Sequence, residues 1–334
     1  MIPTVRFLIQ YFIFLPSVKY LLKVLKLFSK CGIMEKICGF LPWIKNNAFW
    51  RYMEYAFLAI VVILVALQEI LKKQYNAKAK TQCTFFYSFV TAFSAMLFFI
   101  VTSGFKLNYT LEIIPYSIGF AASFAAALGG SFFAIKLGSL SITLLVMSYS
   151  LIIPAFYGVI ALGDPLSAAA IIGLLFLFVS IFLINVKKEK IEVNFKWIIS
   201  LIVTFVGNGM CSLVQKLQQL RFEGEYKNEF MSVALLIASI AFLTLALTKK
   251  EKIASGIKTI LPFGFAGGVA NGIANYLVLV LTGLIPNIIL FPVISAGGIV
   301  LGFFVAVFIY KERLTYIQNI GYTIGVISVI LLNL

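Results

Sequence analysis

Long apolar runs, broken by short charged stretches, set the strongest limit on what this chain can fold into. Ten such runs can be placed, at 54–73, 82–102, 113–135, 140–162, 166–186, 196–217, 229–248, 260–282, 286–309 and 315–333. Crossing the hydrocarbon of a bilayer takes about 20 mostly apolar residues, each rising about 1.5 Å. Backbone groups in that layer have no water to bond, so each run is expected to be a helix. The expected fold class is therefore an all-α polytopic membrane protein with ten transmembrane helices. Composition agrees: 62% of residues are hydrophobic, 12% are charged, and mean hydropathy is +1.05. A soluble domain carries about twice that share of charge.

The net charge of +15 looks at first like a nucleic-acid signature. The basic residues instead sit in short loops between apolar runs, where they set topology. The expected partners are the lipid bilayer and a small-molecule substrate, with no nucleic acid and a monomeric or homodimeric state. From Met53 onward, loops after runs 1, 3, 5, 7 and 9 hold 15 Lys and Arg, and the other loops hold 4. That bias places the odd loops in the cytoplasm and both termini outside.

Missing residue types exclude several chemistries. The chain has no histidine, which removes His-based acid–base work and proton relays. Asp164 is the only aspartate, so a paired-aspartate intramembrane protease cannot be assembled. No GxxxxGK[ST] phosphate loop occurs. Cys31, Cys38, Cys83 and Cys211 lack CxxC spacing and read as small apolar residues, not as metal ligands. The chain is thus expected to be no enzyme and to carry no cofactor or metal. Asn108-Tyr109-Thr110 is a glycosylation sequon, relevant only where the host modifies secreted loops.

The two halves of the chain echo each other. Shifting by 148 positions brings Leu166, Ile172, Gly173, Ser180, Leu183 and Asn185 onto Leu314, Ile320, Gly321, Ser328, Leu331 and Asn333. Asp164 falls in the same register on Glu312 of the turn Lys311-Glu312-Arg313. Gly119-Phe120-Ala121 recurs as Gly264-Phe265-Ala266, and Lys72-Lys73-Gln74 as Lys216-Leu217-Gln218. A repeat unit of five spans is odd in number, so its two copies must cross the membrane in opposite orientations. The expected organisation is a first five-helix repeat at 53–186, a charged linker at 187–195 and a second repeat at 196–334. Residues 1–52 stand apart. They read either as a basic amphipathic stretch lying on an anionic leaflet or as sequence preceding a protein that begins near Met53.

Uncharged polar residues within the runs are the candidate substrate contacts: Asn208, Asn271, Asn275, Tyr276, Tyr149 and Ser295. An amide in lipid without a partner is costly, so these groups are expected to face inward, toward either a neighbouring helix or a central pocket. Glu69 is the candidate acid for ion coupling, with Lys72 and Lys73 within reach as surface partners. Small-residue stripes at i+4 spacing run through Gly119, Ser123, Ala127 and Ser131, through Gly264, Gly268 and Gly272, and through Gly298, Gly302 and Ala306. They are built for close helix approach.

Residues 53–334 resemble the ten-helix EamA-like branch of the drug/metabolite transporter superfamily. The resemblance rests on Phe291-Pro292 to Gly297-Gly298, the Lys-Glu-Arg-Leu-Thr turn, Gly321, Gly325 and Ser328, Lys72, and Gly207-Asn208-Gly209 to Gln215-Lys216. It implies inverted five-helix halves around a cavity lined by spans 1, 3, 4, 6, 8 and 9. It also implies both termini in the cytoplasm, opposite to the charge count. Related four-helix exporters carry a mid-membrane glutamate in their first helix, where this chain has Leu64 to Ala66. The expected function is secondary active transport of a small polar or amphipathic metabolite (amino acid, nucleoside, sugar or drug-like) across the cell membrane. With so few acids in the runs, a neutral, zwitterionic or anionic substrate is expected over a dication. The alternatives are a non-transporting structural or regulatory subunit and a flippase for lipid-linked substrates.

Overall fold

The structure is a computed structural model describing residues 48–79, 81, 83–137, 147, 149–150, 152–163, 167–184, 195–304 and 315–332. Segment 1–47, the linker at 187–194 and the turn at 311–313 lie outside the described residues. Asp164 lies outside them as well.

Described residues form helices joined by short turns, with no strand among them. In chain order these are α1 (Ala48–Lys78), α2 (Thr84–Thr102), α3 (Ile114–Leu137), α4 (Ile152–Leu162) and α5 (Ala168–Ile184), then α6 (Phe195–Arg221), α7 (Lys227–Thr248), α8 (Ile253–Thr282), α9 (Asn287–Phe304) and α10 (Tyr316–Leu332). A 3-10 turn, Leu111–Ile113, leads into α3. Among the described residues, six segments are long and apolar enough to cross a membrane: Glu54–Lys78, Thr84–Thr102, Leu111–Leu137, Phe195–Arg221, Lys227–Thr248 and Ile253–Thr282.

The outer surface is apolar where that of a water-soluble protein is polar, and polar side chains are mixed into the core. Large apolar side chains such as Ile63, Ile160, Phe182, Ile202 and Leu247 face outward, while Ser88, Ser117, Ser131, Thr204, Gln215 and Gln218 are buried. Lipid-facing apolar surface and inward polar groups are what a bilayer solvent selects.

Aromatic clusters fill the centre. Phe98 and Phe99 of α2, Phe120 and Phe124 of α3, and Phe230 and Phe242 of α7 form one buried group. Leu58 and Val61 of α1 meet Leu277 and Leu281 of α8, with Leu290, Phe291 and Ile294 of α9 beside them. The order of these contacts makes α1 and α8 antiparallel. Tyr75 and Tyr87 stack where α1, α2 and α3 converge, Phe132 meets both edge-on, and Phe263 of α8 is in the same cluster.

Helix partners follow a regular scheme. α1 packs on α8, and α6 on α3; α2 packs on α8, and α7 on α3; α9 packs on α1, and α4 on α6. α2 also packs on α7, α4 on α9, and α5 on α10.

Two of these interfaces depend on absent side chains. A Cβ on Gly207 would lie 2.5 Å from the Ala127 nitrogen and 2.8 Å from the Ser123 oxygen. A Cβ on Gly268 would collide with the Thr91 carbonyl of α2 and come within 2.6 Å of the Ser94 Cβ. Close backbone approach of this kind is how helices gain dispersion in lipid, where the hydrophobic effect cannot pull them together.

The turn between α7 and α8 ties the two halves together. Glu251 accepts the Phe85 and Phe86 backbone N–H groups at 2.9 Å each, one on each carboxylate oxygen. This satisfies two free donors at the start of α2 with a charge that complements the helix dipole. Burial, reinforced by Glu251, pushes the neighbouring Cys83 thiol above its ordinary range.

Candidate functional site

The six polar residues expected to be substrate contacts fall into separate groups in the structure. The largest is a chain of side-chain amides crossing three helices. Gln215 of α6 donates to Asn275 Oδ1 of α8 at 2.7 Å. Asn275 in turn donates to Asn271 Oδ1 at 3.0 Å and to the Asn271 carbonyl at 2.9 Å. Asn271 donates to Gln68 Oε1 of α1 at 2.9 Å, and Gln68 donates to the Leu64 carbonyl at 3.2 Å. Every bond runs in the same sense, from α6 through α8 to α1. Such chains polarise one another and hold their members in fixed rotamers.

The second group lines a small cavity. Tyr149, Ile152, Leu174, Leu177, Phe178, Pro292 and Ser295 surround it, leaving about 10 Å³ for the centre of a water molecule. That is close to the threshold for one water, so in this conformation the cavity is too small for a metabolite. Tyr149 donates to the Phe178 carbonyl at 3.2 Å and stacks on the Phe178 ring at 5.3 Å. Ser295 is buried on α9, one turn beyond Pro292.

Asn208 belongs to a third group. It donates to Ser150 Oγ at 2.7 Å and to the Met147 carbonyl at 3.2 Å, joining α6 to the residues just ahead of α4. Tyr276 follows Asn275 directly but turns toward α2, with its ring 6.4 Å from Phe98 and 6.3 Å from Phe99. Its ring packs against the aromatic core. Glu69 lies on α1 next to Gln68, and its side chain falls outside the described ones.

Four polar residues that sequence reasoning did not select as site residues stand out. Gln68 and Gln215 supply the two ends of the amide chain. Lys72 and Lys216 are only 4% and 9% exposed, inside segments long enough to span a bilayer. Lys72 Nζ donates to Ser131 Oγ of α3 at 3.2 Å, and Lys216 Nζ donates to the Thr282 carbonyl at the end of α8 at 2.8 Å. Their matched places in the two halves are visible in the sequence as the Lys-x-Gln echo.

The last turns of α6 continue this polar character. Gln218 donates to the Glu225 carbonyl at 2.9 Å, and Gln219 donates to Gln218. Both are buried.

An apolar exterior and, among the described residues, six helices of spanning length, together with polar side chains bonded across the bundle, define a membrane protein. No protein-family model matches the chain, and no curated protein matches it. Among solved structures, one described only as "Crystal structure of protein" is similar, with a TM-score of 0.64 at 12% sequence identity. The match covers 84% of this chain and 98% of that one. At that identity the likeness concerns the fold alone.

Proposed function

We propose that the chain is a multi-pass plasma-membrane carrier that moves a small polar or amphipathic metabolite by alternating access. The observation that carries this reading is the helix-partner scheme. Exchanging the first five helices for the last five, in order, turns α1 on α8 into α6 on α3, α2 on α8 into α7 on α3, and α9 on α1 into α4 on α6. Three further pairs, α2 with α7, α4 with α9 and α5 with α10, map onto themselves, whereas α9 on α10 and α6 on α8 have no comparably extensive counterpart among the described residues. The matched pairs support two equivalent five-helix units, inverted as an odd repeat requires, and ten spans in all. Inverted units of this kind let a central site face either side in turn.

The amide chain fits such a site. It joins α1 of the first unit to α6 and α8 of the second, and its members use neutral groups able to exchange partners with a solute. Closure of the Tyr149–Ser295 cavity fits a state between the two open forms.

Counterflow tests the reading. Purified protein in liposomes preloaded with individual unlabelled solutes is expected to accumulate the matching labelled solute transiently. If no solute in a broad panel of amino acids, nucleosides, sugars and organic acids exchanges above protein-free liposomes, the carrier reading is wrong.

A further inference from the structure

Amide character on α6 continues past Gln215 to the end of the helix. Gln218 and Gln219 follow Gln215 at the spacing that keeps residues on one helix face, and all three are buried inside a segment long enough to span. Gln215 reaches inward to Asn275, Gln218 donates to the Glu225 carbonyl, and Gln219 donates to Gln218. Gln219 is only 5% exposed, yet its Oε1 has no hydrogen-bond partner among the described residues. A buried amide oxygen without a donor is costly to keep, and it is a ready acceptor for a donor that passes.

The α6–α7 turn covers this oxygen. A Cβ on Gly224 would stand 3.8 Å from Gln219 Oε1. Glu223, Gly224 and Tyr226 all have left-handed backbone, with φ of 50°, 86° and 55°. For Glu223 and Tyr226 that conformation is unfavourable unless contacts hold it. The Gln218–Glu225 bond is one such contact. The Phe222 ring is another, 5.7 Å from Tyr116 of α3 and 5.6 Å from Tyr226. The exposed Arg221–Glu112 pair at 3.4 Å adds little. The turn is a strained lid with few fastenings.

The opposite end of the bundle is built differently. Lys216 of α6 reaches Thr282 at the end of α8, whereas Lys78 of α1 lies over Phe263 near its start. Three residues beyond the matched lysines, Lys72 and Lys216, the first half has Tyr75 where the second has Gln219. Tyr75 is fully buried, and its ring stacks on Tyr87 and meets Phe132 edge-on. Its hydroxyl accepts the Cys83 N–H at 3.0 Å and donates to the Cys83 carbonyl at 3.4 Å. It leaves a passing solute no polar group. Gln74 Oε1 and Asn76 Oδ1 near this end also lack a bond among the described residues. At 100° per residue, however, they sit about 120° and 80° around α1 from Gln68, off the face that carries Tyr75.

Building on the carrier reading, we propose that solute reaches the central amides from the α6–α7 end, beneath the turn at 222–226 and over Gln219, Gln218 and Gln215. From this conformation the lid opens more readily than the Tyr75 end, where aromatic rings close the bundle. Gln219 is the first interior acceptor a solute meets, and Gln218 is the latch.

The test uses the full chain in liposomes, with Gln219→Cys and Tyr75→Cys each treated on both faces of the bilayer with 2-sulfonatoethyl methanethiosulfonate, a small water-soluble thiol reagent. Mass spectrometry reads modification at each position. Gln219→Cys is expected to react about tenfold or more faster than Tyr75→Cys, because labelling of a buried position follows the population of its open form. Adding Gln218→Leu should speed labelling at Gln219→Cys further, and an unchanged rate would remove the latch. Modified Gln219→Cys is expected to lose counterflow of whichever panel solute the protein exchanges, and a reducing agent should restore it. Equal labelling at the two ends, or faster labelling at Tyr75→Cys, overturns the proposal and leaves the carrier standing. Full counterflow after complete modification does the same. If Tyr75→Cys fails to fold, hydroxyl-radical footprinting of unaltered protein decides: Tyr226 must be oxidised and Tyr75 spared, and comparable oxidation of both overturns the proposal. Unmodified protein that exchanges no panel solute removes the carrier reading and the route together.

Discussion

Gly207 offers the sharpest test of how the helices are held together. Replacing it with alanine adds one methyl group at the α3–α6 crossing. That carbon would sit 2.5 Å from the Ala127 nitrogen, 2.8 Å from the Ser123 oxygen and 3.0 Å from the Ala126 carbonyl carbon. All three are backbone atoms, so no rotamer change can relieve the contact and the helices must part by about 1 Å. A gap of that size forfeits a quarter to a half of each dispersion contact across the interface. Overpacking of this kind costs about 1–3 kcal/mol, and rigid backbone neighbours place Gly207 near the upper end. Alanine returns at most about 1 kcal/mol through its better helix propensity. The net expectation is a loss of about 2 kcal/mol, or a melting point lower by roughly 4 °C for a chain of this size.

Gly298→Ala is the matched control, because a Cβ there meets nothing within 4 Å among the described residues. It should leave the melting point unchanged or raise it slightly. Fluorescence-detected size-exclusion chromatography after heating in detergent measures both. A Gly207→Ala protein as heat-resistant as the parent would refute the close α3–α6 crossing, and with it the packing account.

Three further outcomes follow from the same contacts. Glu251→Gln removes the charge that caps α2 and should cost about 1 kcal/mol, an effect that shrinks as salt is raised in the same thermal assay. Gln68→Leu and Asn271→Leu should each destabilise by about 1 kcal/mol, because each strands a half-buried amide, while the double variant should cost less than their sum; strict additivity would mean the two residues do not bond. Burial and Glu251 hold the Cys83 thiol protonated beyond its ordinary range, so maleimide labelling of native protein at pH 7 should be slow. Its rate should keep climbing above pH 9, and Glu251→Gln should shift that rise toward lower pH, as read by mass spectrometry at Cys83.

Much of the fold can be read from hydropathy, because lipid demands internally bonded backbone and apolar surface over a set length. The runs expected at 82–102, 196–217 and 229–248 match α2, α6 and α7 within a few residues. The expected glycine contacts at 264, 268 and 272 are likewise found against Val90, Thr91 and Phe98.

The site was legible only in part. Asn271 and Asn275 were chosen as inward amides and do bond across the bundle, but their partners Gln68 and Gln215 were not. Gln68 was passed over for its neighbour Glu69. Tyr276 was grouped with Asn275 by depth, yet one residue is 100° of helix rotation. That rotation sends Asn275 to α6 and Tyr276 to the α2 aromatics.

By itself, then, the sequence determined where the apolar helices centre and that the surface is apolar, since these follow from local composition; α1 and α8 extend beyond their apolar runs, to Ala48–Lys78 and Ile253–Thr282. Only the tertiary structure decided which polar faces meet. Azimuth and partner are set by interdigitation of glycine gaps and aromatic rings across helices distant in sequence. A buried lysine and a loop lysine look alike until that packing is in place.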